Sequence, residues 1–292
     1  MQSNFDIEAQ IKLARQFRSM HRKGNFFVIP NAWDVASARI FEEAGFTSVA
    51  TSSAGMLVSL GYGDGEDIPF GEFIAAVRRI SRVLTTPLSV DMVSGFGRTT
   101  EEVVKSVKDV IMTGAVGINI EDLSHAGRGI IETEEQVKRI SAIREMSENI
   151  GVPFVINART DEISHRGNKD LESSLEFAIK RAERYIDGGA DCVYPMGLVD
   201  LDSIKRFVEA VKFPVNVMIR EGIPRISTLR KIGVNRLSFG PYASYKAMGM
   251  LFKIGKEILE QDNFENLTEG AISYEMLNSL AVKKNIRSGN KF

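Results

Sequence analysis

The sequence predicts a (β/α)8 barrel of the TIM type, with one helix before the first strand and a helical segment after the last. Short β-branched runs alternate with longer amphipathic runs along the chain, and eight strand-like runs are each followed by a helix. No GxGxxG turn follows the first strand, which places the barrel ahead of an open doubly wound sheet with the same alternation.

The elements follow in order. A helix over Ile7–His21 precedes the first strand and is expected to plug the barrel bottom. The strand runs are Phe26–Pro30, Ser48–Ser52, Leu88–Val93, Gly117–Ile120, Phe154–Ala158, Cys192–Tyr194, Val215–Ile219 and Arg236–Phe239. New strands are announced by Gly45, Pro87, Gly114, Pro153, Gly189, Pro214 and Gly233, the glycines matching left-handed helix ends. Between them, Val35–Ala44, Thr100–Thr113, Glu134–Asn149, Leu171–Asp187 and Asp202–Val211 space apolar residues three and four apart, as helices do. The strands read as nearly all apolar, which suits parallel strands buried on both faces. Residues 1–255 are assigned to the barrel and 256–292 to a helical extension, with a further helical pattern over Phe264–Val282. That extension is expected to dock on a neighbouring subunit, giving a homodimer or homotetramer, or else to pack on its own barrel.

Bulk properties narrow the function classes. The chain has 292 residues, a net charge of -1 and 43% hydrophobic residues, as an ordinary globular protein with a full core does. Near-neutral charge argues against nucleic acid or an anionic membrane as partner, because phosphate binding needs clustered Lys and Arg. The single Cys192 rules out an intrachain disulfide framework and fits a reducing compartment. No apolar run reaches the ~20 residues that span a bilayer, and Met1 to Gly24 lacks a signal-peptide layout. A cytoplasmic location is expected.

In such barrels chemistry sits at the C-terminal strand ends. Asp91 ends the third strand, Glu121 and Asp122 the fourth and Arg159 the fifth, while Asp64 lies in the loop after the second. Carboxylates and one arginine converging from adjacent strand ends suit a divalent metal and a small anionic substrate. A hard cation such as Mg2+ keeps several waters and needs only one or two carboxylates. Asp91 is the candidate direct ligand, with Asp64 and Glu121 acting through water. The bland alternative is that these acids cap helices or pair with bases. Arg159 can fork onto a substrate carboxylate, and its alternative is a salt bridge with Glu121 or Asp161.

At these residues a resemblance becomes specific. Ile29-Pro30-Asn31-Ala32-Trp33-Asp34, Ala50-Thr51-Ser52-Ser53-Ala54-Gly55, Ser59-Leu60-Gly61-Tyr62 with Asp64, Gly117-Ile118-Asn119-Ile120-Glu121-Asp122, Asn157-Ala158-Arg159-Thr160-Asp161 and Pro214-Val215-Asn216-Val217 occur in order. From about Phe17 to Leu251 the chain resembles the isocitrate lyase/phosphoenolpyruvate mutase superfamily, in particular its PEP-mutase-like branch. The resemblance implies a barrel dependent on Mg2+ (or Mn2+) that makes or breaks a C–C or P–C bond beside an oxo or carboxylate group. It implies that Thr51, Ser52 and Ser53 contact the substrate, that Asp91 binds the metal with Asp64 and Glu121 holding its waters, and that Arg159 grips the substrate carboxylate. Asn216 joins the substrate-binding set, and Trp33 is a candidate pocket wall whose alternative is packing against the helix that starts at Asp34.

Three departures refine this. Val93 stands where the family carries a second acid after the metal Asp, so the metal site is short of one carboxylate. The loop Leu123-Ser124-His125-Ala126-Gly127-Arg128-Gly129 lacks the acid/base Cys of the lyases, which argues against isocitrate or methylisocitrate lyase activity itself. Met196 follows Pro195 where the lyases place a Glu. His125, in the loop that gates the family's site, is the candidate proton shuttle beside Glu121 and Arg159, with a solvated loop side chain as its alternative. His21 and His165 have weaker claims, and Cys192 reads as an inert core thiol. Gly240-Pro241 reads as a helix start in preference to a phosphate-binding turn. The expected activity is metal-assisted C–C bond cleavage or formation in a small 2-oxo or 2-hydroxy acid. Phosphoenolpyruvate/phosphonopyruvate-type P–C chemistry and a non-catalytic carboxylate-binding barrel remain as alternatives.

Overall fold

The computed structural model describes residues 6–281 apart from residues 126, 128, 166, 168 and 169. Eight strands form the barrel: β1 (Phe27–Ile29, continued beyond Pro30 as Asn31–Ala32), β2 (Val49–Thr51), β3 (Leu88–Asp91), β4 (Gly117–Glu121), β5 (Val155–Thr160), β6 (Cys192–Pro195), β7 (Asn216–Met218) and β8 (Arg236–Ser238). Every pairing between them is parallel. The continuation of β1 pairs with β2, the row runs through β6, and a bridge between Val193 and Val215 leads to β7. Pairing of β8 with both β7 and β1 closes the barrel, so no edge is left unpaired.

The helices form for local reasons legible in the chain. In α5 (Thr100–Ile111) a capping box joins Thr99 and Glu102, while Val103, Val107, Val110 and Ile111 fall on one buried face. Helix α7 (Leu171–Asp187) is capped by Asp170, and Gly189 beyond it has φ 103°. The strand runs expected from sequence are present, their ends shifted by one or two residues.

One reading changes. The strands are buried throughout, yet they do alternate in polarity. Leu88, Val90, Ile118, Ile120, Ile156, Ala158, Val193, Val217 and Leu237 lie in the apolar core. Ser89, Asp91, Asn119, Asn157, Arg159, Asn216, Arg236 and Ser238, at the intervening positions, line a cavity inside the barrel. Both faces are covered, so polarity and not exposure separates the helix side from the lumen.

The N-terminal helix α1 (Ile7–Met20) closes the bottom of the lumen. Gln10 Nε2 donates to the carbonyls of Ile111 (2.8 Å) and Ala115 (2.7 Å), tying the helix to the turn before β4. Phe17 is fully buried under Gly117, where a Cβ would lie 2.8 Å from its ring. The ring meets those of His21 and Phe27 edge-on at 4.7 and 6.3 Å.

The last barrel helix, α10 (Tyr242–Gln261), runs unbroken past residue 255, where the sequence placed the end of the barrel. Beyond it the expected helical run is two short helices, α11 (Glu265–Thr268) and α12 (Tyr274–Leu280); Val282 lies outside the described residues. Helix α12 returns to contact α2 (Val35–Glu43) of its own barrel and buries Leu280, while Leu251, Phe252, Leu259, Phe264 and Tyr274 stay exposed. No helix among the described residues is long and apolar enough to cross a membrane.

Replacing Phe17 with Ala removes the plug and leaves a cavity, at a cost of about 3–5 kcal/mol. Urea unfolding will show this as a lower midpoint. A loss below about 1 kcal/mol would mean that the helix rests on the barrel without supporting it.

Candidate active site

A cavity of about 300 Å³ opens at the C-terminal strand ends, bordered by Thr51, Ser52, Ser53, Asp64, Asp91, Arg159 and Asn216. Asp91 is its best-anchored acid. Its backbone N–H donates to Thr51 Oγ1 (2.9 Å), Oδ2 accepts from the Ser53 N–H (3.1 Å), and Oδ1 accepts from Asn119 Nδ2 (3.0 Å). Asp64 approaches from the loop after β2, and burial followed by repulsion from Asp91 pushes its carboxyl above the ordinary range. Two partly desolvated carboxylates facing one cavity favour a cation between them.

Arg159 is clamped. Nε and Nη2 donate to the two oxygens of Asp161 (2.7 and 2.6 Å), and Nη1 pairs with Glu121 Oε2 (2.8 Å). Both salt bridges weighed for it therefore exist, and they leave two of its five N–H groups uncommitted. Burial opposes the charge, but Glu121 and Asp161 outweigh burial and hold the guanidinium well above the usual arginine range. Asp161 is itself placed by Asp122, whose Oδ1 accepts the Asp161 N–H (2.8 Å) and whose Oδ2 accepts from Tyr185 (2.7 Å).

Glu121 joins this clamp to His125, with Oε1 2.6 Å from His125 Nε2. Burial pushes the Glu121 carboxyl up to about 7 against the attraction of Arg159, and the hydrogen bond to Glu121 raises His125. Both shifts run toward the protonated form, the direction an acid/base couple needs. His125 Nδ1 faces Gly65, beside Asp64, in a larger adjoining cleft of about 880 Å³. Arg128, expected beside it, lies outside the described residues.

Neither Trp33, Glu121 nor His125 borders the 300 Å³ cavity itself. Trp33 is half-buried against the core, and its backbone N–H donates to Ser37 Oγ (3.0 Å) at the start of α2. His21 is buried at the end of α1, and His165 is exposed. Burial pushes the Cys192 thiol up to about 12. Val93 supplies no carboxylate; its carbonyl accepts the Glu121 N–H (2.9 Å) from a backbone with φ 51°. The N–H groups of Phe239 and Gly240 both donate to Asn31 Oδ1 (3.0 and 2.9 Å), and Pro241 caps α10. That turn is a helix start with its donors already committed. Asn31, Asn119, Asn157, Arg236 and Ser238 border the cavity but were not singled out from sequence. The signal was their spacing at every second strand position.

Comparison with known proteins agrees with this geometry. The phosphoenolpyruvate phosphomutase family matches residues 17–259. The chain is 30% identical over 260 residues to 2-methylisocitrate lyase of Escherichia coli K12, covering 85% of this chain and 84% of that one. It is 33% identical over 230 residues to an uncharacterized protein of Mycobacterium tuberculosis H37Rv, covering 78% and 83%. A Burkholderia cenocepacia J2315 structure provisionally assigned as a phosphonomutase superposes with a TM-score of 0.80 at 34% identity, covering 84% of this chain and 99% of that one. Oxaloacetate acetylhydrolase in complex with its product oxalate shares the fold, with a TM-score of 0.81 at 23% identity over 93% of this chain and 94% of that one. The chain belongs to the phosphoenolpyruvate phosphomutase family, within the phosphoenolpyruvate mutase/isocitrate lyase superfamily, as its motifs led one to expect.

The Glu121–His125 couple sets a pH dependence. Glu121 is raised above its ordinary 4.5, so the stability it contributes is full below about pH 4.5 and is lost as pH rises through about 7. His125, raised by the same bond, contributes with the same sign. Urea unfolding should therefore show a larger loss of stability between pH 5 and pH 8 in the wild type than in Glu121→Gln. Equal slopes would mean that the Glu121 carboxyl is not raised.

Proposed function

We propose that this protein is a metal-assisted carbon–carbon lyase or oxo-acid hydrolase acting on a small 2-oxo or 2-hydroxy carboxylic acid. The observation that supports this best is the placing of Asp91, Asp64 and Arg159 around one cavity, with the Glu121–His125 couple directly behind Arg159. Asp91 and Asp64 offer hard oxygen donors that fit Mg2+ or Mn2+, an ion content with few protein ligands. Among the described residues no three His, Cys, Asp or Glu side chains converge as a closed cage would require, so water and substrate must complete such a shell. When bound, the ion would withdraw electrons from the substrate's oxygens and favour an enolate-like charge.

The remaining work falls to this chain's own groups. The two uncommitted N–H groups of Arg159 can take the substrate carboxylate while Asp161 fixes the plane of the guanidinium. The Ser53 N–H and Asn119 fix the carboxylate of Asp91. His125 faces Gly65 from the adjoining cleft, and with Glu121 steadying its charge it is the proton-transfer group we assign, reaching the substrate through water. Isocitrate and methylisocitrate lyase reactions are disfavoured: the loop at 123–129 has no thiol, and Cys192 is buried in the barrel. The committed donors at Gly240 disfavour a phosphate cradle, and with it P–C chemistry.

Calorimetric titration of Mg2+ and then oxalate, an enolate mimic, tests the reading. Oxalate should bind only with the metal, and Asp91→Ala should abolish that binding without lowering the melting temperature. Oxalate binding that survives Asp91→Ala would overturn the site. Absence of both metal and oxalate binding would favour a non-catalytic barrel.

The exposed apolar side chains of α10 to α12 support assembly with a second copy of the chain, as a homodimer or homotetramer. Light scattering of the purified protein should give a mass of at least two chains, and a monomer would refute the assembly.

A further inference from the structure

The same cavity carries a charge that the site described above leaves unused. Arg236 opens β8, is 2% exposed, and borders the cavity from below. Its guanidinium stands 5.9 Å over the Phe17 ring, and Nη1 lies 3.4 Å from His21 Nε2. His21 Nδ1 is 2.9 Å from the Phe17 carbonyl and must donate there, which leaves Nε2 as an acceptor and the ring neutral. Among the described residues no carboxylate stands within ion-pair distance of Arg236, and its Nε has no partner. Asp91 attracts it from elsewhere on the cavity wall without touching it, and a buried guanidinium with no carboxylate in contact is costly to maintain.

The polar groups around it are also incomplete, in a way the hydrogen-bond directions determine. Ionised Asp91 can only accept, so Asn119 donates Nδ2 to it and turns Oδ1 toward Asn157. Asn157 donates Nδ2 to that oxygen (2.9 Å), so its own Oδ1 is an acceptor, and no donor reaches it. Asn216 donates Nδ2 to Ser238 Oγ (3.1 Å), and its Oδ1 is likewise unpartnered. One cation and two acceptors, all buried, await a ligand that brings a negative charge together with hydroxyl or water donors.

We propose that Arg236 is the specificity-determining residue of this cavity, pairing with a carboxylate at the far end of a diacid whose near end meets Arg159 and Asp91. This rests on the reading of the upper site given above. Asn157, whose unpartnered oxygen belongs to the lower set, and Arg159 are two residues apart on the lumen face of β5, about 6.6 Å along the strand, a depth that an extended diacid of roughly four to six carbons spans. A cavity of about 300 Å³ accommodates such a molecule.

The test is calorimetry in Mg2+ with three probes, oxalate, pyruvate and 2-oxoglutarate, on the wild type and Arg236→Met. Oxalate reports the upper site alone; pyruvate and 2-oxoglutarate share an oxo-acid head and differ in the second carboxylate. The wild type should bind 2-oxoglutarate at least tenfold more tightly than pyruvate. Arg236→Met should bind the two equally, keep its oxalate affinity, and melt no lower than the wild type without ligand. Wild-type oxalate binding with no preference between the two oxo acids would overturn the role of Arg236 and spare the upper site. A preference that persists in Arg236→Met would do the same. Failure of the wild type to bind oxalate would overturn both readings. Should Arg236→Met not fold, Arg236→Gln takes its place, and the wild-type comparison decides the matter independently of either variant.

Discussion

The mouth of this barrel depends on one guanidinium held between two carboxylates. Arg159 is half-buried, and Glu121 and Asp161 stabilise its charge at hydrogen-bond distance. Each partner is anchored in turn by a different element. Glu121 is fixed through its backbone to the Val93 carbonyl and through its side chain to His125. Asp161 is fixed by Asp122, and Asp122 by Tyr185 of α7. A charge at the centre of the site is thereby referred back to the outer helical layer. Removing Glu121 or Asp161 takes from Arg159 one of the two charges that face it.

The same clamp shows why the site divides into two kinds of group. Asp91 is oriented by neutral donors, the Ser53 N–H and the Asn119 amide, which fix its position without cancelling its charge. Glu121 faces a guanidinium on one oxygen and hydrogen-bonds a histidine through the other, so both its oxygens are engaged inside the protein. An acid held by neutral donors remains available to an external cation. An acid held by a cation serves to position its neighbours.

Much of this was legible in the sequence because the barrel imposes a strict grammar on the chain. Strand ends project into one mouth, so Asp91, Glu121 and Arg159 could be expected near one another from their position after β-branched runs; Asp91 and Arg159 border one cavity, and Glu121 stands behind Arg159. The second layer was not legible. Asn119 and Asn157 sit inside runs rich in isoleucine and alanine, and only the register of adjacent strands reveals that their amides form a chain leading from Asp91. The ion pairs of Arg159 with Asp161 and Glu121 were open from sequence as alternatives to substrate binding, and the structure forms both at once. Val93 reads in sequence as a lost acid. Its left-handed backbone marks a tight turn at that position, where a β-branched residue costs on the order of 1–3 kcal/mol.

The plug formed by α1 also governs traffic. With Phe17 seated beneath Gly117 the lumen, among the described residues, is closed at one end and open at the strand tips. A substrate split in two inside such a well would leave toward those tips. The fragment nearer the opening must depart before the deeper one can pass, so the order of release is written into the depth at which each end of the substrate is held.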